Sequence, residues 1–433
     1  MRVLVIAPVS SDAMHVGGGV AVTYKVLTEK LLAQGCEVEV LSSWNGSLEH
    51  AFFKFHPGFR MIKVSIKNMR KIRKGIRRAD VVICPDSALV ACIGLECWRL
   101  GVPSIWVMHT NFMAIGKHVL ADILFRFYDM ASTFFLSSYG SAFTHILTTS
   151  QDYMQVLRQK GFRVSAYIDQ GFKAEVFKEH DSDQDIAQLR QSLIDGTYHS
   201  PDSTPASASV ATKRAGTNTN NSSNNNSSSS NTSNVKLLLF AGRFSPEKRI
   251  ELLFDCIPEG FKLVLVGDGA LKERFLAKQN QDPRIVVVAQ MLGQDQLRRF
   301  YKAADITVSA SDFETFGMTV HESLLCGTPV VVQDGSGFRS QVRHGINGFL
   351  TNYEDPPVAK RAIVAAATHA FDPRPFRPGD CVDLVEFVKN TAKQPVAPVS
   401  TFMSIVITLL QMLYFVPTRI SQELFHEPEP KDQ

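Results

Sequence analysis

Two series of short apolar runs, each alternating with helix-patterned segments, flank a tract reading SSNNNSSSSNTSN that no hydrophobic core can absorb. The first series holds VLVIAPV at 3–9, a helical stretch through VAVTYKVLTEKLLAQG, EVEVLSS at 37–43, VVIC at 81–84, SIWVMHT at 104–110, a helical stretch around 118–140 and HILTTS at 145–150. The second runs VKLLLFAGR, FKLVLVGDG, RIVVVAQ, ITVSAS, PVVVQD and NGFLT. Apolar strands alternating with helices form parallel βαβ units, because a helix is needed to carry the chain back to the starting edge. The expected fold is therefore α/β, with two Rossmann-like domains whose parallel sheets face each other across a cleft. Residues 1–179 form the first, acceptor-binding domain, a disordered Asn/Ser-rich connector covers 180–234, the second, nucleotide-binding domain covers 235–380, and a helical tail that could meet a membrane covers 381–433.

A length of 433 residues with 45% hydrophobic content suffices for two cores. The net charge of +4 implies no global polyanion partner, so electrostatics must be argued from local clusters. The seven cysteines are scattered, without a CxxC pair, which reads as reduced thiols and argues against structural zinc. MRVLVIAPVS begins directly on a strand pattern and shows no secretory signal, so an intracellular location is expected.

In open α/β sheets, ligands bind beyond the carboxyl ends of the strands. After VKLLLFAGR come Arg243, Lys248 and Arg249, with Gly242 allowing close approach. They suit a diphosphate clamp, or equally a solvated basic turn. GDG at 267–269 is a tight turn, with or without a ligand at Gly267. The stretch ETFGMTVHE places Glu314 and Glu322 on either side of a predicted helix start at Gly317, where the amides of Gly317, Met318 and Thr319 offer an anion site. Simple dipole complementarity for Glu314 and a solvated face for Glu322 are the bland alternatives. Yet Val320, Leu324 and Leu325 mark a helix buried on most sides, where a carboxylate without a task is costly. Two carboxylates, a free helix start and nearby cations match a molecule with hydroxyls at both ends and a diphosphate between. His109, ending SIWVM, is a strand-end residue that could equally be a core histidine satisfied by backbone groups.

FAGRFSPEKRIELL, VLVGDG, YKAADITVSASDFETFGMTVHESLLCGTPVVVQDGSG and HGINGFL resemble the donor half of retaining GT-B glycosyltransferases of family 4. APVSSDAMHVGGGVAVTYKVLTEKLLAQGCEVEVLS resembles that family's glycine-rich first loop, and IDQGFKAEVF the segment closing its first domain. The resemblance implies a nucleotide-sugar donor. Arg243 and Lys248 would hold its diphosphate, Glu314 and the backbone of Phe316, Gly317 and Met318 would face the sugar, and Glu322 would bind the ribose. Gly242 and Gly267 would line the donor site, the loop Gly17, Gly18 and Gly19 would close over the phosphates, and His109 would stand near the sugar. It also implies no cofactor and no metal, and the D-x-D at Asp181-Ser182-Asp183 reads as solvated connector charge. Three residues depart from the family pattern: Gln341 stands where a glutamate is common, His321 where an aliphatic residue is usual, and Ser323 where an alanine is usual. They bear on donor identity.

For the acceptor, IKVSIKNMRKIRKGIRR at 62–78 carries eight Lys or Arg with Ile62, Ile66, Met69, Ile72 and Ile76 at helical spacing. Such a helix suits an anionic membrane surface, or packs its stripe on the sheet. No aromatic platform interleaves the charges, so nucleic acid is not expected. The charge-free segment 395–417, with an apolar core from Phe402 to Val416, suggests membrane contact or a helix crossing both domains. Together these point to a lipid acceptor and a peripheral or tail-anchored protein on the cytosolic face of a membrane. The stretch His109-Thr110-Asn111 and the helix LADILFRFYDMASTFFL loosely resemble sulfoquinovosyl diacylglycerol synthases and lipid mannosyltransferases. A soluble sugar acceptor and a non-catalytic nucleotide-sugar-binding protein are the alternatives. A dehydrogenase would need G-x-G-x-x-G after the first strand, where APVSSDAMHVGGG stands instead.

Overall fold

A computed structural model describes residues 1–7, 14–43, 45–53, 56–87, 89–109, 133, 136–168, 174–198, 235–311, 314–374, 381–396, 405 and 409. In chain order the first half comprises β1 (Arg2–Ala7), α1 (Met14–Ala33), β2 (Glu37–Ser42), the antiparallel pair β3 (His50–Phe53) and β4 (His56–Ile62), α2 (Ile66–Ile76), β5 (Val81–Pro85), α3 (Val90–Leu100), β6 (Ser104–Met108), β7 (His145–Thr148), α4 (Gln151–Gln159) and β8 (Val164–Ile168). Two helices, α5 (Ala174–Lys178) and α6 (Asp183–Asp195), lead into the second half. There follow β9 (Lys236–Ala241), α7 (Glu251–Phe254), β10 (Phe261–Val266), α8 (Lys272–Gln281), β11 (Ile285–Val288), α9 (Gln294–Ala303), β12 (Ile306–Ser309), α10 (Met318–Leu325), β13 (Val330–Gln333), α11 (Ser336–Arg339), β14 (Gly348–Thr351), α12 (Pro356–Ala366), β15 (Cys381–Val382) and α13 (Leu384–Thr391).

Two parallel sheets result, in strand orders β15-β8-β7-β6-β5-β1-β2 and β11-β10-β9-β12-β13-β14. Strands β5 and β6 are buried along their whole length, as parallel strands covered by helices on both faces must be. The apolar runs identified in the sequence all become strands, and the α/β architecture with two facing sheets is as expected. Helix α11 of the second domain packs against α4 of the first, bringing Arg339 into the field of Asp152.

Four expectations are corrected. The connector was expected to be disordered from residue 180, yet α6 fills Asp183–Asp195 and docks on the second domain. Leu193 and Ile194 join a core with Leu237, Leu239, Phe300 and Tyr301, and Arg190 donates to the carbonyls of Ala303 (2.7 Å) and Val235 (2.9 Å). The apolar spacing of this helix is short, and the polar tract beginning soon after it dominates any composition reading; that tract lies outside the described residues. Asp181, expected to be solvated, is only 8% exposed and is gripped by both Nε and Nη2 of the buried Arg298 on α9, with Lys302 2.8 Å away. The Arg298 guanidinium above all holds its carboxyl well below the usual carboxylate range.

The segment from 381 was expected to begin a separate tail. Instead β15 pairs with β8, and Leu384, Val385 and Val388 of α13 enter the first domain's core beside Tyr24, Leu27 and Leu31. Finally, the 62–78 helix is shorter than its charge pattern, because Ile62 ends β4 and the helix starts after the N-cap Ser65. Ile72 and Ile76 are fully buried against Leu4 and Leu41, so the apolar stripe faces the sheet while Ile66 alone stays 58% exposed. Of 395–417, only Pro395, Val396, Ile405 and Leu409 are described, and among the described residues no helix is long and apolar enough to cross a membrane.

Removing one partner of a buried ion pair strands the other charge, at a cost of about 3–5 kcal/mol. Asp181→Ala should therefore lower the unfolding free energy of the second domain by that order in urea titration. Because the carboxyl's folded pKa is lowered, the stabilisation is present above the unfolded value and is lost as acid protonates the folded carboxylate. A midpoint unmoved by Asp181→Ala at neutral pH would contradict the clamp.

Candidate active site

The second sheet places the carboxyl ends of β9, β10 and β12 along one edge, since β9 pairs with both neighbours in parallel. Beyond β9 and β10 the backbones nearly touch: the Gly242 amide donates to Val266 O (2.9 Å) and the Phe244 amide to Asp268 O (2.8 Å). Gly267 has φ +153°, and a Cβ there would sit 1.8 Å from Gly242 O. Both glycines thus have a backbone reason to be glycine, which resolves the open reading of the GDG turn toward close approach of two strand ends.

Past this junction Arg243 is exposed, and Pro246–Lys248 makes a single 3-10 turn. Ser245 Oγ donates to Glu247 Oε1 (2.6 Å), and Ser311 Oγ, beyond β12, donates to Glu247 O (3.3 Å). The turn delivers Lys248 Nζ to Glu314 Oε1 at 2.5 Å, with both side chains about one-fifth exposed. Two of the expected site residues, brought from 66 positions apart, are therefore ion-paired with each other. Arg249 does not join Arg243 and Lys248 in a clamp; its guanidinium reaches Glu354 Oε1 at 2.5 Å.

Gly317 caps α10 with φ +84°, a left-handed conformation that lets the chain turn from Phe316 into Met318. A Cβ at Gly317 would lie 2.7 Å from the Phe338 ring, so α11 seals the back of this turn. The first-turn amides of Met318 and Thr319 have no acceptor within the helix by geometry. Glu322, one turn further, is 6% exposed and accepts a hydrogen bond from Tyr301 Oη at 2.9 Å. It is thus deeper than a hydroxyl-binding residue at the mouth. Burial pushes its carboxyl up to about 7, opposed by the Tyr301 hydrogen bond.

The first domain contributes from its own strand ends. His109 follows β6 and is 7% exposed; its amide donates to Asp86 Oδ2 (2.8 Å), and its Nε2 lies 3.3 Å from Tyr24 Oη. Asp86 also accepts from Trp106 Nε1 (3.1 Å), fixing the end of β6. Burial lowers the His109 pKa to about 4, so the imidazole is neutral at physiological pH. Gly17, Gly18 and Gly19, expected in a loop, lie inside α1, which starts at Met14; the correction follows from a helix beginning before the glycines rather than after them. Thr110 and Asn111 lie outside the described residues. Among the described residues no group of three His, Cys, Asp or Glu side chains is disposed to hold a metal.

The residues missed by sequence reasoning are Tyr24, Asp86, Tyr301 and Glu354. Asp86 stands directly after a strand and could have been found by that rule. Tyr301 lies 21 positions before Glu322 and carries no local signal.

Because an unfolded glutamate titrates near 4.5 and Glu322 near 7, the fold holds an extra proton between those values. That contribution is present below the unfolded pKa and is lost as pH rises through about 7, on the order of 2–3 kcal/mol. Urea unfolding at pH 5 and pH 8 should therefore show Glu322→Gln gaining stability relative to the wild type at the higher pH. Parallel pH dependence in the two proteins would contradict a buried, reluctant carboxylate.

Residues 17–166 match the family model described as Glycosyltransferase Family 4, and residues 222–368 the model described as Glycosyl transferases group 1. A D-inositol 3-phosphate glycosyltransferase of Thermobispora bispora is 32% identical over 141 residues, 29% of this chain and 33% of the relative. The chain thus aligns with about one third of the length of such curated relatives. Anabaena HepE, solved in complex with UDP and glucose, superposes with a TM-score of 0.56 at 16% identity, covering 98% of this chain and 99% of its own. Sucrose-phosphate synthase from Thermosynechococcus elongatus superposes with a TM-score of 0.59 at 17% identity, covering 98% and 99%. With each half matched by a glycosyltransferase family model and the whole superposing on such enzymes, the chain has the GT-B glycosyltransferase fold.

Proposed function

We propose that the protein transfers a sugar from a nucleotide-sugar donor to an acceptor hydroxyl, with retention of anomeric configuration. The observation that carries this reading is the Lys248–Glu314 pair, set at the carboxyl edge of the second sheet, with Glu314 four residues before the first residue of α10. A cation, a carboxylate and a helix start at one point suit a diphosphate joined to a polyhydroxyl group. The neighbouring Anabaena HepE structures, in complex with UDP and with UDP-glucose, support that donor class.

In this reading Lys248 and Arg243 receive the diphosphate, and Glu314 exchanges part of its contact with Lys248 for sugar hydroxyls. The bond between the anomeric carbon and the diphosphate oxygen breaks, and its electron pair leaves with the diphosphate. The two cations and the α10 amides stabilise that charge without reorganising. The acceptor oxygen bonds to the same face of the anomeric carbon, and its proton passes to the departing phosphate oxygen. His109, kept neutral by burial, can hydrogen-bond the sugar without adding positive charge beside an oxocarbenium-like centre. Glu322 serves the ribose hydroxyls in its ionised form, so donor binding strengthens as pH rises through about 7. No metal or cofactor is invoked.

For the acceptor we retain a membrane lipid, reached from an anionic surface. Burial of the α2 stripe removes insertion of that face, so the contact rests on charge. Lys67 pairs with Glu49, Arg73 with Glu96 and Arg78 with Glu39, while the exposed Arg70 and Lys74 of α2 and its C-cap Arg77 lie outside these pairs. Each basic residue near an anionic bilayer contributes about 1 kcal/mol. Sedimentation with phosphatidylserine vesicles at low salt should therefore carry down the full chain, and an R70E/K74E/R77E variant should stay in solution. Equal pelleting of the two proteins would point to another membrane contact, and a full chain that stayed in solution would favour a soluble sugar acceptor.

Steady-state assays starting with UDP-glucose test the donor site. Glu322→Ala should raise donor KM about tenfold or more, and Lys248→Ala should lower kcat as well. Normal turnover by both variants would contradict the site, and a wild type that turned over no nucleotide sugar would contradict the function.

A further inference from the structure

Two of the positions at which the sequence departs from its family pattern, 321 and 341, are one structural unit. Gln341 follows α11 and is 1% exposed, while His321 lies in the first turn of α10 and is 2% exposed. Gln341 Nε2 donates to Phe316 O and, at 3.2 Å, to Gly317 O. Its Oε1 lies 3.0 Å from His321 Nδ1. Carbonyl oxygens only accept, so the amide nitrogen must face Phe316 and Gly317, and its oxygen must face the imidazole. His321 Nδ1 therefore carries a proton, whatever the state of Nε2. Asn347 Nδ2 in turn donates to Gln341 O at 2.9 Å, and the Phe316 ring lies 5.4 Å from the His321 ring.

The two carbonyls so held belong to the peptide units that turn the chain from Glu314 into α10. Because each peptide unit is planar, holding these carbonyls fixes where the amides of Gly317 and Met318 point, three and four residues after Glu314. A glutamate at 341 would present a carboxylate to two carbonyl oxygens and could donate to neither; an aliphatic residue at 321 would leave the Gln341 oxygen buried without its donor. The two residues are therefore matched to each other, and a change at one is costly without a change at the other.

Resting on the donor-site reading above, we propose that His321 and Gln341 form a positioning pair that sets the Glu314–Gly317 turn against the donor sugar and so helps determine which sugar is accepted. Neither residue reaches the donor; both act through the backbone of Phe316 and Gly317. The pair concerns the sugar end of the donor and not its nucleotide.

That distinction makes it testable. Binding of UDP and of UDP-glucose is measured by calorimetry on the full chain for the wild type, Gln341→Glu, His321→Leu and His321→Asn, with kcat and KM for UDP-glucose and UDP-galactose. Loss of one buried hydrogen bond corresponds to roughly a tenfold change. Gln341→Glu and His321→Leu should weaken UDP-glucose by that order, shift the glucose-to-galactose ratio, and leave UDP affinity within about twofold. His321→Asn, which keeps a donor near the Nδ1 position, should recover most of the loss and keeps the test open if the harsher variants fold poorly. Unchanged sugar discrimination in Gln341→Glu and His321→Leu overturns the inference alone, as does an equal loss for UDP and UDP-glucose. Failure of the wild type to bind either compound overturns the donor-site reading, and the inference with it.

Discussion

Parallel pairing of β9 with β10 on one side and β12 on the other is the constraint from which the candidate chemistry follows. It sends three chain segments off the same sheet edge within reach of one another. Backbone hydrogen bonds between the Gly242 and Gly267 turns then hold two of them at a distance that no side chain tolerates. The third segment brings Glu314 to meet Lys248. Without that parallel order the cation and the carboxylate, 66 residues apart, would have no reason to be neighbours.

Around this edge, the carboxylates are placed in unlike environments. Glu314 is partly open and neutralised by a lysine. Glu322 is enclosed, with only the Tyr301 hydroxyl beside it, and burial makes it reluctant to ionise. The contrast puts the two ends of ETFGMTVHE in different settings: one carboxylate is ion-paired at a partly open position, and the other is enclosed beside a tyrosine hydroxyl. His109 follows the same logic on the opposite sheet, where burial removes its charge and Asp86 and Tyr24 fix its place.

Much of this was legible in the sequence because parallel strands are uniformly apolar and end on glycine or polar residues that stand out. FAGR, VGDG and ETFG each mark a strand end, and the structure sets them on one edge. What was not legible depends on partners distant in the chain. Asp181 looks like a linker charge until Arg298 arrives from 117 residues away. The α2 stripe reads equally as a membrane face or a core face, and only the sheet beneath it decides for Ile72 and Ile76. Strand β15 is two residues long, too short for any periodicity, and its pairing with β8 returns α13 to the first domain. Gln341 and His321 each looked like an isolated departure, while their hydrogen bond makes them one feature.

The central claim is that a nucleotide sugar binds at the β9–β12 edge, between Lys248, Glu314 and the start of α10. Amide hydrogen exchange of the full chain with and without UDP-glucose tests it most directly. The account predicts new protection concentrated in the 242–249 turn and in the 314–322 segment. Absence of protection in both segments at saturating ligand, or protection confined to another surface, would contradict it.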